Sequence, residues 1–250
     1  MGSLMLQALL WAAAAAGLLG APADLLTAAT RAAAPVVNTQ QNTLGVPMQI
    51  VLLMSGLTLL PVLVMSVTPF LRITLVLHFL RQAIGTQSTP SNPVLIGLAL
   101  FLTFMVMQPT LQKSYEDGWL PYEKQTLASD AALKKGLEPI RGFLVKYVRE
   151  KDVQMLLEVS HTPAPATAGE LEFRILMPAY VLSELKTGFQ IGAMLFLPFL
   201  VIDLLVASVT LSVGIVQLPP AMVSSPFKIL LFVLVDGWNL VAGSLVRSFY

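Results

Sequence analysis

Long apolar runs alternate with polar stretches along this chain, and the four longest runs are residues 50–71, 93–107, 189–216 and 226–246. A helix needs about 20 mostly apolar residues to cross a bilayer, so the second run is short for a span and the third is long. Glycine and proline residues inside the runs allow neighbouring helices to approach closely. The pattern predicts an all-α integral membrane protein with four apolar segments.

The stretch between the second and third runs, residues 108–174, is polar, and its acidic and basic residues nearly cancel. Apolar residues recur there at helical spacing, which predicts an amphipathic helix that opens near Ser129 or Asp130 as its cap. These apolar residues are Leu133, Leu137, Ile140, Leu144 and Val148. A second short helix is predicted over residues 152–159, and the Pro/Ala/Thr-rich residues 161–169 are predicted to form a mobile linker.

The short loops predict how the chain is oriented in the membrane. Arg72 and Arg81 follow the first run with no acidic residue beside them, so this loop is predicted to be cytoplasmic. The polar region is then periplasmic. The turn at residues 217–225 returns to the cytoplasmic side, and the C-terminal end faces out.

The first 23 residues resemble a secretory signal peptide. Residues 4–19 form an apolar core, and Ala21-Pro22-Ala23 is an A-x-A site that predicts cleavage before Asp24. No Lys or Arg precedes Arg31, so an uncleaved N-terminal helix is the alternative. Residues 24–45 are rich in Ala, Thr, Asn and Gln, and we interpret them as an exported, loosely structured lead-in.

The composition supports the membrane assignment and excludes several kinds of chemistry. Hydrophobic residues make up 56% of the 250 residues and charged residues only 12%, whereas soluble domains carry about 25% charged residues. No basic block suggests a nucleic-acid partner. The chain has no cysteine, which excludes disulfides, thiolate catalysis and thiolate metal sites. His78 and His161 have no carboxylate at ligand spacing, so we expect no metal and no cofactor.

A carboxylate, Asp203, lies in the middle of the third run, in the segment FLPFLVIDLLVASV. A charge at the centre of a spanning helix costs about 2.5–3.5 kcal/mol on insertion scales, so we expect a partner. Lys228 is the only base between residues 189 and 246, and an antiparallel hairpin would bring the two groups together. In the alternative, Lys228 extends to the interface and Asp203 is protonated or bonded to Ser208 or water.

Two kinds of activity remain as alternatives to a structural role. Ser183 and Lys186 lie one helical turn apart and could form a Ser/Lys dyad in an intramembrane hydrolase, although this spacing alone is weak evidence. Asp203 and Asp236 could be coupling-ion sites in a secondary transporter for a small solute. A polar helix start before a membrane span explains Ser183 and Lys186 equally well.

Three stretches together resemble the FliP family of the flagellar type III secretion system and its injectisome relatives. They are residues 70–109, residues 149–157 (REKDVQMLL), and residues 178–209 continued by 218–250. The strings SELKTGFQIG and PFKILLFVLVDGW are long and unusual in composition. The signal-like N-terminus and the final RSFY favour the flagellar branch, and an injectisome homologue is the alternative.

This resemblance implies a non-enzymatic, pore-forming subunit of the export gate in the bacterial inner membrane and flagellar basal body. Several copies, five in the family, would surround a channel for unfolded flagellar proteins together with one FliR-like protein. FliQ-like proteins would pack outside, and an FlhB-like protein would bind at the cytoplasmic end. The implied fold has kinked helical hairpins at residues 46–109 and 175–250 and a helical periplasmic region at 110–174, lifted largely out of the bilayer and enclosed by the basal-body ring.

The resemblance also implies where the pore narrows and where subunits meet. Family members commonly carry a run of methionines before a proline-containing turn, which forms a gasket around the channel. Here Ile215, Val216 and Gln217 follow Gly214, and only Met222 lies close by, so apolar side chains other than methionine would form this constriction. We expect packing between subunits to involve three further residues. These are Phe143, Glu184 and Lys186.

Overall fold

The computed structural model describes residues 45–86, 88–165, 167–214 and 219–250, which are mostly helical and contain no strand. The chain divides into two units, Met1–Thr58 and Leu59–Tyr250. The α-helices of the described ranges are α1 (Val46–Val67), α2 (Phe70–Ile84), α3 (Asn92–Ser114), α4 (Leu120–Glu123), α5 (Ser129–Tyr147), α6 (Glu150–Val159), α7 (Phe173–Ser212), α8 (Pro220–Leu234) and α9 (Gly237–Arg247). The predicted all-α class is therefore confirmed.

In the first unit, the residues from Val46 to Thr58 belong to α1, and the large apolar side chains from Met48 to Leu57 are exposed. Pro61 lies inside α1 without interrupting it. Three helical stretches in the described ranges are long and apolar enough to cross a membrane, Pro47–Val67, Asn92–Glu123 and Phe173–Ser212. An apolar helix with an exposed surface is typical of a span that meets lipid or other subunits.

The core of the second unit is built where α2 lies along α7, the most extensive helix pair in the unit. Gly188 and Gly192 of α7 permit this approach. A Cβ atom at Gly192 would lie 2.4 Å from Cδ2 of Phe79, and one at Gly188 would lie 2.8 Å from Cδ2 of Leu75. The two helices therefore pack closer than larger side chains would allow.

Helix α2 corrects the prediction of a loop after the first run. Helix α1 ends at Val67, and α2 begins at Phe70 and carries both Arg72 and Arg81. Arg72 is buried, and Arg81 donates to the carbonyl oxygen of Pro90 at 3.1 Å and to Oδ1 of Asn92 at 2.7 Å. Because a buried, bonded arginine is no signal for a cytoplasmic loop, the orientation of the chain stays a prediction.

The polar region forms the predicted amphipathic helix, α5, and the predicted short helix, α6. Helix α5 begins at Ser129, but neither Ser129 nor Asp130 caps it, because Ala128 occupies the capping position and no side chain bonds there. A π-helical turn, Tyr115–Trp119, follows α3 and crosses α5 closely. At this crossing, a Cβ atom on Gly118 would lie 2.6 Å from Cα of Gly136.

The third and fourth runs differ from their predicted limits. Helix α7 has 40 residues and continues through Pro178 and Pro198. The fourth run is broken, since α8 and α9 meet at an angle of 65°. Asp236 occupies the break in a left-handed conformation, with φ 50° and ψ 52°, which a non-glycine residue adopts only rarely. A bent pair of this kind counts as one span by length and composition, so the described residues contain up to four apolar spans.

Candidate functional site

Helix α7 carries charged residues that bind partners from three other elements, and the first pair joins it to α2. The guanidinium of Arg72 binds the carboxylate of Glu184 in a bidentate manner, with Nε 2.8 Å from Oε2 and Nη2 bonded to Oε1. Their side chains are 5% and 0% exposed. Arg72 also donates to Oγ of Ser248 at 3.3 Å, and its Cζ lies 4.0 Å from the centre of the Phe249 ring. The pair is therefore completely enclosed.

Aromatic rings form the enclosure around Arg72. The ring of Phe143 lies 4.8 Å from that of Tyr147, 6.2 Å from that of Tyr180 and 6.4 Å from that of Phe249. The hydroxyl of Tyr147 donates to the backbone oxygen of Phe249. Both Phe143 and Glu184 are buried within the chain, and their expected part in packing between subunits stays a prediction.

The second cluster joins the first turn of α6 to α7. Asp152, which is buried, accepts hydrogen bonds from Lys186 and from the hydroxyl of Ser183, whose Oγ lies 2.8 Å from Oδ2. Ser183 also accepts the backbone N–H of Arg149 at 3.0 Å. The guanidinium of Arg149 also contacts α7, because it donates to Gln190 Oε1 at 2.6 Å.

This geometry contradicts the Ser/Lys dyad. Ser183 is fully buried and donates toward Asp152, so it has neither access to a substrate nor a bond from Lys186 as a base. The ammonium of Lys186 binds Asp152, although half of its side chain remains exposed. Of the three residues expected between subunits, Lys186 is thus the one with an exposed surface.

Two opposing effects act on the carboxyl group of Asp152. Burial on its own raises the pKa, but hydrogen bonds from Lys186 and Ser183 and the positive charges of Lys186 and Arg149 together hold the pKa below its usual range. A carboxylate with a lowered pKa stabilises the fold above its unfolded pKa, about 4. The contribution is lost as the pH falls through the lower, folded value.

We therefore expect Asp152→Asn to reduce the dependence of stability on acid pH. The free energy of unfolding of the full chain in detergent should fall between pH 5 and pH 3 by a smaller amount in this variant than in the wild type. Asp130→Asn removes an exposed carboxylate of the same region and should leave the pH dependence unchanged. Equal pH dependence in Asp152→Asn and the wild type would show that the cluster does not stabilise the ionised carboxylate of Asp152.

The third cluster contains the charge pair expected from the sequence. Nζ of Lys228 in α8 lies 2.6 Å from Oδ2 of Asp203 in α7. The side chain of Lys228 is 6% exposed and that of Asp203 is 35% exposed. Oδ1 of Asp203 accepts the hydroxyl of Ser224 at 2.5 Å, whereas Ser208 donates to the backbone oxygen of Leu204. The second partner of the carboxylate is thus Ser224 and not Ser208.

Asp236 does not join this cluster. It precedes α9, its side chain is exposed, and its Oδ2 accepts a hydrogen bond from Asn239 at 3.1 Å. Among the described residues no group of three His, Cys, Asp or Glu side chains could hold a metal ion. The two aspartates proposed as coupling-ion sites in a transporter therefore have separate surroundings.

Of the expected constriction, the structure describes only the two ends. Gly214 follows α7 with φ 80°, a left-handed conformation that glycine adopts without strain. Met222 lies in the first turn of α8 and is 70% exposed. Ile215, Val216 and Gln217 lie outside the described residues.

Sequence reasoning missed the first two clusters, although a signal existed for the first. Arg72 and Glu184 stand in mostly apolar strings and have opposite charges, so they could have been paired with each other. Asp152 stands in the charged string of residues 149–152, which gave no such signal. The separations of 112 residues for Arg72 and Glu184 and 34 for Asp152 and Lys186 left the choice of partner open.

A helical chain with up to four apolar spans, whose intramembrane charges bind each other across helices, is an integral membrane protein. The sequence model of the FliP family matches residues 53–245, and the chain belongs to this family. It is 46% identical over 217 residues to the flagellar biosynthetic protein FliP of Pectobacterium carotovorum, covering 86% of this chain and 83% of that protein. It is 50% identical to the FliP of Caulobacter vibrioides, covering 80% and 76%, and 45% identical to the FliP of Bacillus subtilis, covering 80% and 91%.

Proposed function

We propose that the chain is a non-enzymatic core subunit of the flagellar type III export gate and that several copies surround the channel through which unfolded flagellar proteins leave the cytoplasm. The observation that carries the proposal is the distribution of polar and apolar groups on α7 and α8. Glu184, Asp203 and Lys228 bind partners inside the chain, whereas large apolar side chains of both helices are exposed. A surface of this kind fits other subunits and lipid.

The described residues on either side of 215–218 support a position of the predicted turn, Gly214–Met222, at the constriction. Leu211 and Val213 at the end of α7 and Met222 at the start of α8 are 61%, 68% and 70% exposed. Large apolar side chains exposed next to a turn lack contacts within their own chain. Copies of the same turn around an axis would give them partners and would exclude water from a closed channel.

The proposed partners follow from membership of the family. They are FliQ-like, FliR-like and FlhB-like export-gate proteins, further copies of this chain, and the exported flagellar proteins. The proposed location is the bacterial inner membrane within the flagellar basal body. An injectisome gate would use the same subunit architecture, and the names of the relatives favour the flagellar gate.

The two alternatives of other classes lack support from the geometry. A hydrolase needs an accessible nucleophile, and Ser183 is fully buried. A coupled transporter needs a carboxylate that is free to bind an ion, and Asp203 is bonded to Lys228 and Ser224. The polar groups of α7 instead fix helix positions, which is the task of a structural subunit.

Disulfide cross-linking tests whether the turn faces other copies. The chain has no cysteine, so Val216→Cys introduces the only thiol. Under oxidation of the assembled complex we expect a disulfide-linked dimer of two copies on a denaturing gel, because each copy carries one thiol. Thr210→Cys, at a side chain that is 8% exposed, is the matched control and should give none. If Val216→Cys gives no cross-link in an assembled complex, the turn lies at the periphery.

A further inference from the structure

Helix α9 is attached to the rest of its unit along one narrow stripe of side chains. Its buried residues are Gly237, Val241 and Leu245, which recur every four positions and therefore lie on one face of the helix. Phe249, which is 3% exposed, continues this stripe, whereas Leu240 on another face is 58% exposed. Detaching a helix that is held by a single stripe requires less free energy than unfolding the core.

Residues 248–250, which we call the latch, fasten one end of the stripe. The ring of Phe249 covers the guanidinium of Arg72 at 4.0 Å, and Nη1 of Arg72 donates to Oγ of Ser248 at 3.3 Å. The hydroxyl of Tyr147 in α5 donates to the backbone oxygen of Phe249. The latch therefore closes the enclosure around Arg72 on the side of α9.

The other end of the stripe begins at the bend of 65° between α8 and α9. Asp236 at this bend has φ 50° and ψ 52°, a left-handed conformation that is costly for a residue other than glycine unless the surrounding structure holds it there. At Gly237 a Cβ atom would lie 2.2 Å from Cδ2 of Phe232, so this ring lies directly against the backbone. A change of φ and ψ at Asp236 would swing the whole of α9.

The closed enclosure also contains groups that would gain from contact with water. The hydroxyl of Tyr180 is buried there, beside the ring of Phe143, and has no hydrogen-bond partner among the described residues. A buried polar group without a partner is destabilising, and so is the loss of hydration of the charges of Arg72 and Glu184. These costs oppose the contacts of the latch and favour its release.

We propose that α9 and the latch form a lid that turns at Asp236 and Gly237 between the closed state and an open state. In the open state the latch leaves Arg72, and water reaches the ion pair of Arg72 with Glu184 and the hydroxyl of Tyr180. Because this ion pair joins α2 to α7, the position of the lid determines how firmly the two helices are joined. The inference concerns the chain itself and does not depend on the proposed role in export.

Thiol labelling of the full chain in detergent measures the opening of the lid. The chain has no cysteine, so Leu245→Cys places a single thiol on the buried stripe of α9. Ala83→Cys is the control, because its side chain in α2 is 0% exposed and becomes accessible only when the core unfolds. We expect a maleimide to react at position 245 at least about tenfold faster than at position 83, since local opening needs less free energy than unfolding of the core. Equal rates at the two positions would overturn the proposal.

Substitutions of Asp236 on the Leu245→Cys background test where the lid turns. Asp236→Gly removes the cost of the left-handed conformation in the closed state and should slow labelling about threefold. Asp236→Val should accelerate labelling, because a β-branched residue tolerates this conformation poorly, and Asp236→Asn should match the wild type, because asparagine tolerates it. The same rate in all three variants would contradict a hinge at this residue.

A substitution in α5 tests the latch on the same background. Tyr147→Phe keeps the ring but removes the hydroxyl that holds the backbone of Phe249, so labelling at position 245 should become about fivefold faster, the effect of one hydrogen bond. Tyr115→Phe removes the hydroxyl of a tyrosine that is 50% exposed and lies outside the enclosure, and should leave the rate unchanged. Hydrogen exchange of the α9 backbone, with and without Tyr147→Phe, repeats the comparison without an introduced thiol. Unchanged labelling and unchanged exchange in Tyr147→Phe would overturn the proposal.

Discussion

Glu184→Ala is expected to destabilise the chain by about 3–5 kcal/mol. The substitution leaves the guanidinium of Arg72 buried without its carboxylate, and removing one partner of a buried ion pair has a cost of this size. Arg72→Ala should have a similar effect because it strands Glu184, whose side chain is 0% exposed. The measurements are the free energy of unfolding in detergent and the amount of folded chain in the membrane fraction. Little of either variant should reach assembled complexes.

The exposed pair between Arg174 and Glu172 supplies the matched control. Its nitrogen and oxygen atoms are 3.2 Å apart, and the side chains are 72% and 60% exposed. Exposed pairs contribute about 0–1 kcal/mol, so Arg174→Ala should be close to neutral. The double variant Arg72→Met/Glu184→Leu should be more stable than either alanine variant, because it leaves no charge unpaired. If Glu184→Ala is as mild as Arg174→Ala, the pair does not stabilise the fold.

Asp203→Ala is expected to have the second largest effect and to be more harmful than Lys228→Ala. The first substitution leaves the ammonium of Lys228, which is 6% exposed, without its charge partner, whereas the second leaves Asp203, which is 35% exposed and still bonded to Ser224. The stranded lysine should therefore cost more, toward the 3–5 kcal/mol of a buried pair. The measurements are unfolding in detergent, the yield of the assembled gate and swimming motility.

Exchange of the two charges tests the pairing itself. Asp203→Lys/Lys228→Asp, or the double alanine variant, should recover part of the yield and motility that each single substitution loses. Ser208→Ala is the control, because Ser208 bonds only to its own helix backbone and its loss should be tolerated. The contact between Asp203 and Lys228 does not stabilise the protein if both single variants keep wild-type yield and motility. The same conclusion follows if the charge exchange lowers yield and motility further than either single variant.

The cluster around Asp203 was accessible from sequence for a simple physical reason. The two consecutive apolar runs, which a short turn joins, contain a single base, Lys228, so Asp203 had one possible basic partner there. Arg72 and Glu184 offered no such restriction, because 112 residues separate them and other charges lie between. The pairing depends on α2 lying along α7, which is determined by the contacts of Gly188 and Gly192 with Leu75 and Phe79.

Helix α2 shows why the helices of the first hairpin could not be predicted correctly from the pattern of apolar residues. Its segment FLRITLVLHFLRQAI contains two arginines and one histidine, which suggested the polar end of a span. Burial of Arg72 against Glu184 and Phe249 removes the charge from the surface. The pattern of apolar and polar residues along the sequence does not show that a buried arginine is paired with a distant glutamate.

Phe143 shows how packing within the chain bears on a candidate interface residue. An aromatic residue on an amphipathic helix is a reasonable candidate for an interface, but the rings of Tyr147, Tyr180 and Phe249 already surround it. On the same helix, Leu133 remains 65% exposed. The sequence pattern predicted the apolar stripe of α5, and only the packing shows which end of the stripe is exposed.

The central claim, that copies of this chain form the wall of an export channel, is tested most directly by the composition of its purified complex. The chain is co-expressed with FliQ-like and FliR-like proteins and purified in detergent, and the mass and the particle images of the complex are determined. The account predicts one discrete assembly that contains several copies of this chain around a central channel. A monomer or dimer that associates with neither protein and supports saturable uptake of a small solute in liposomes would contradict it.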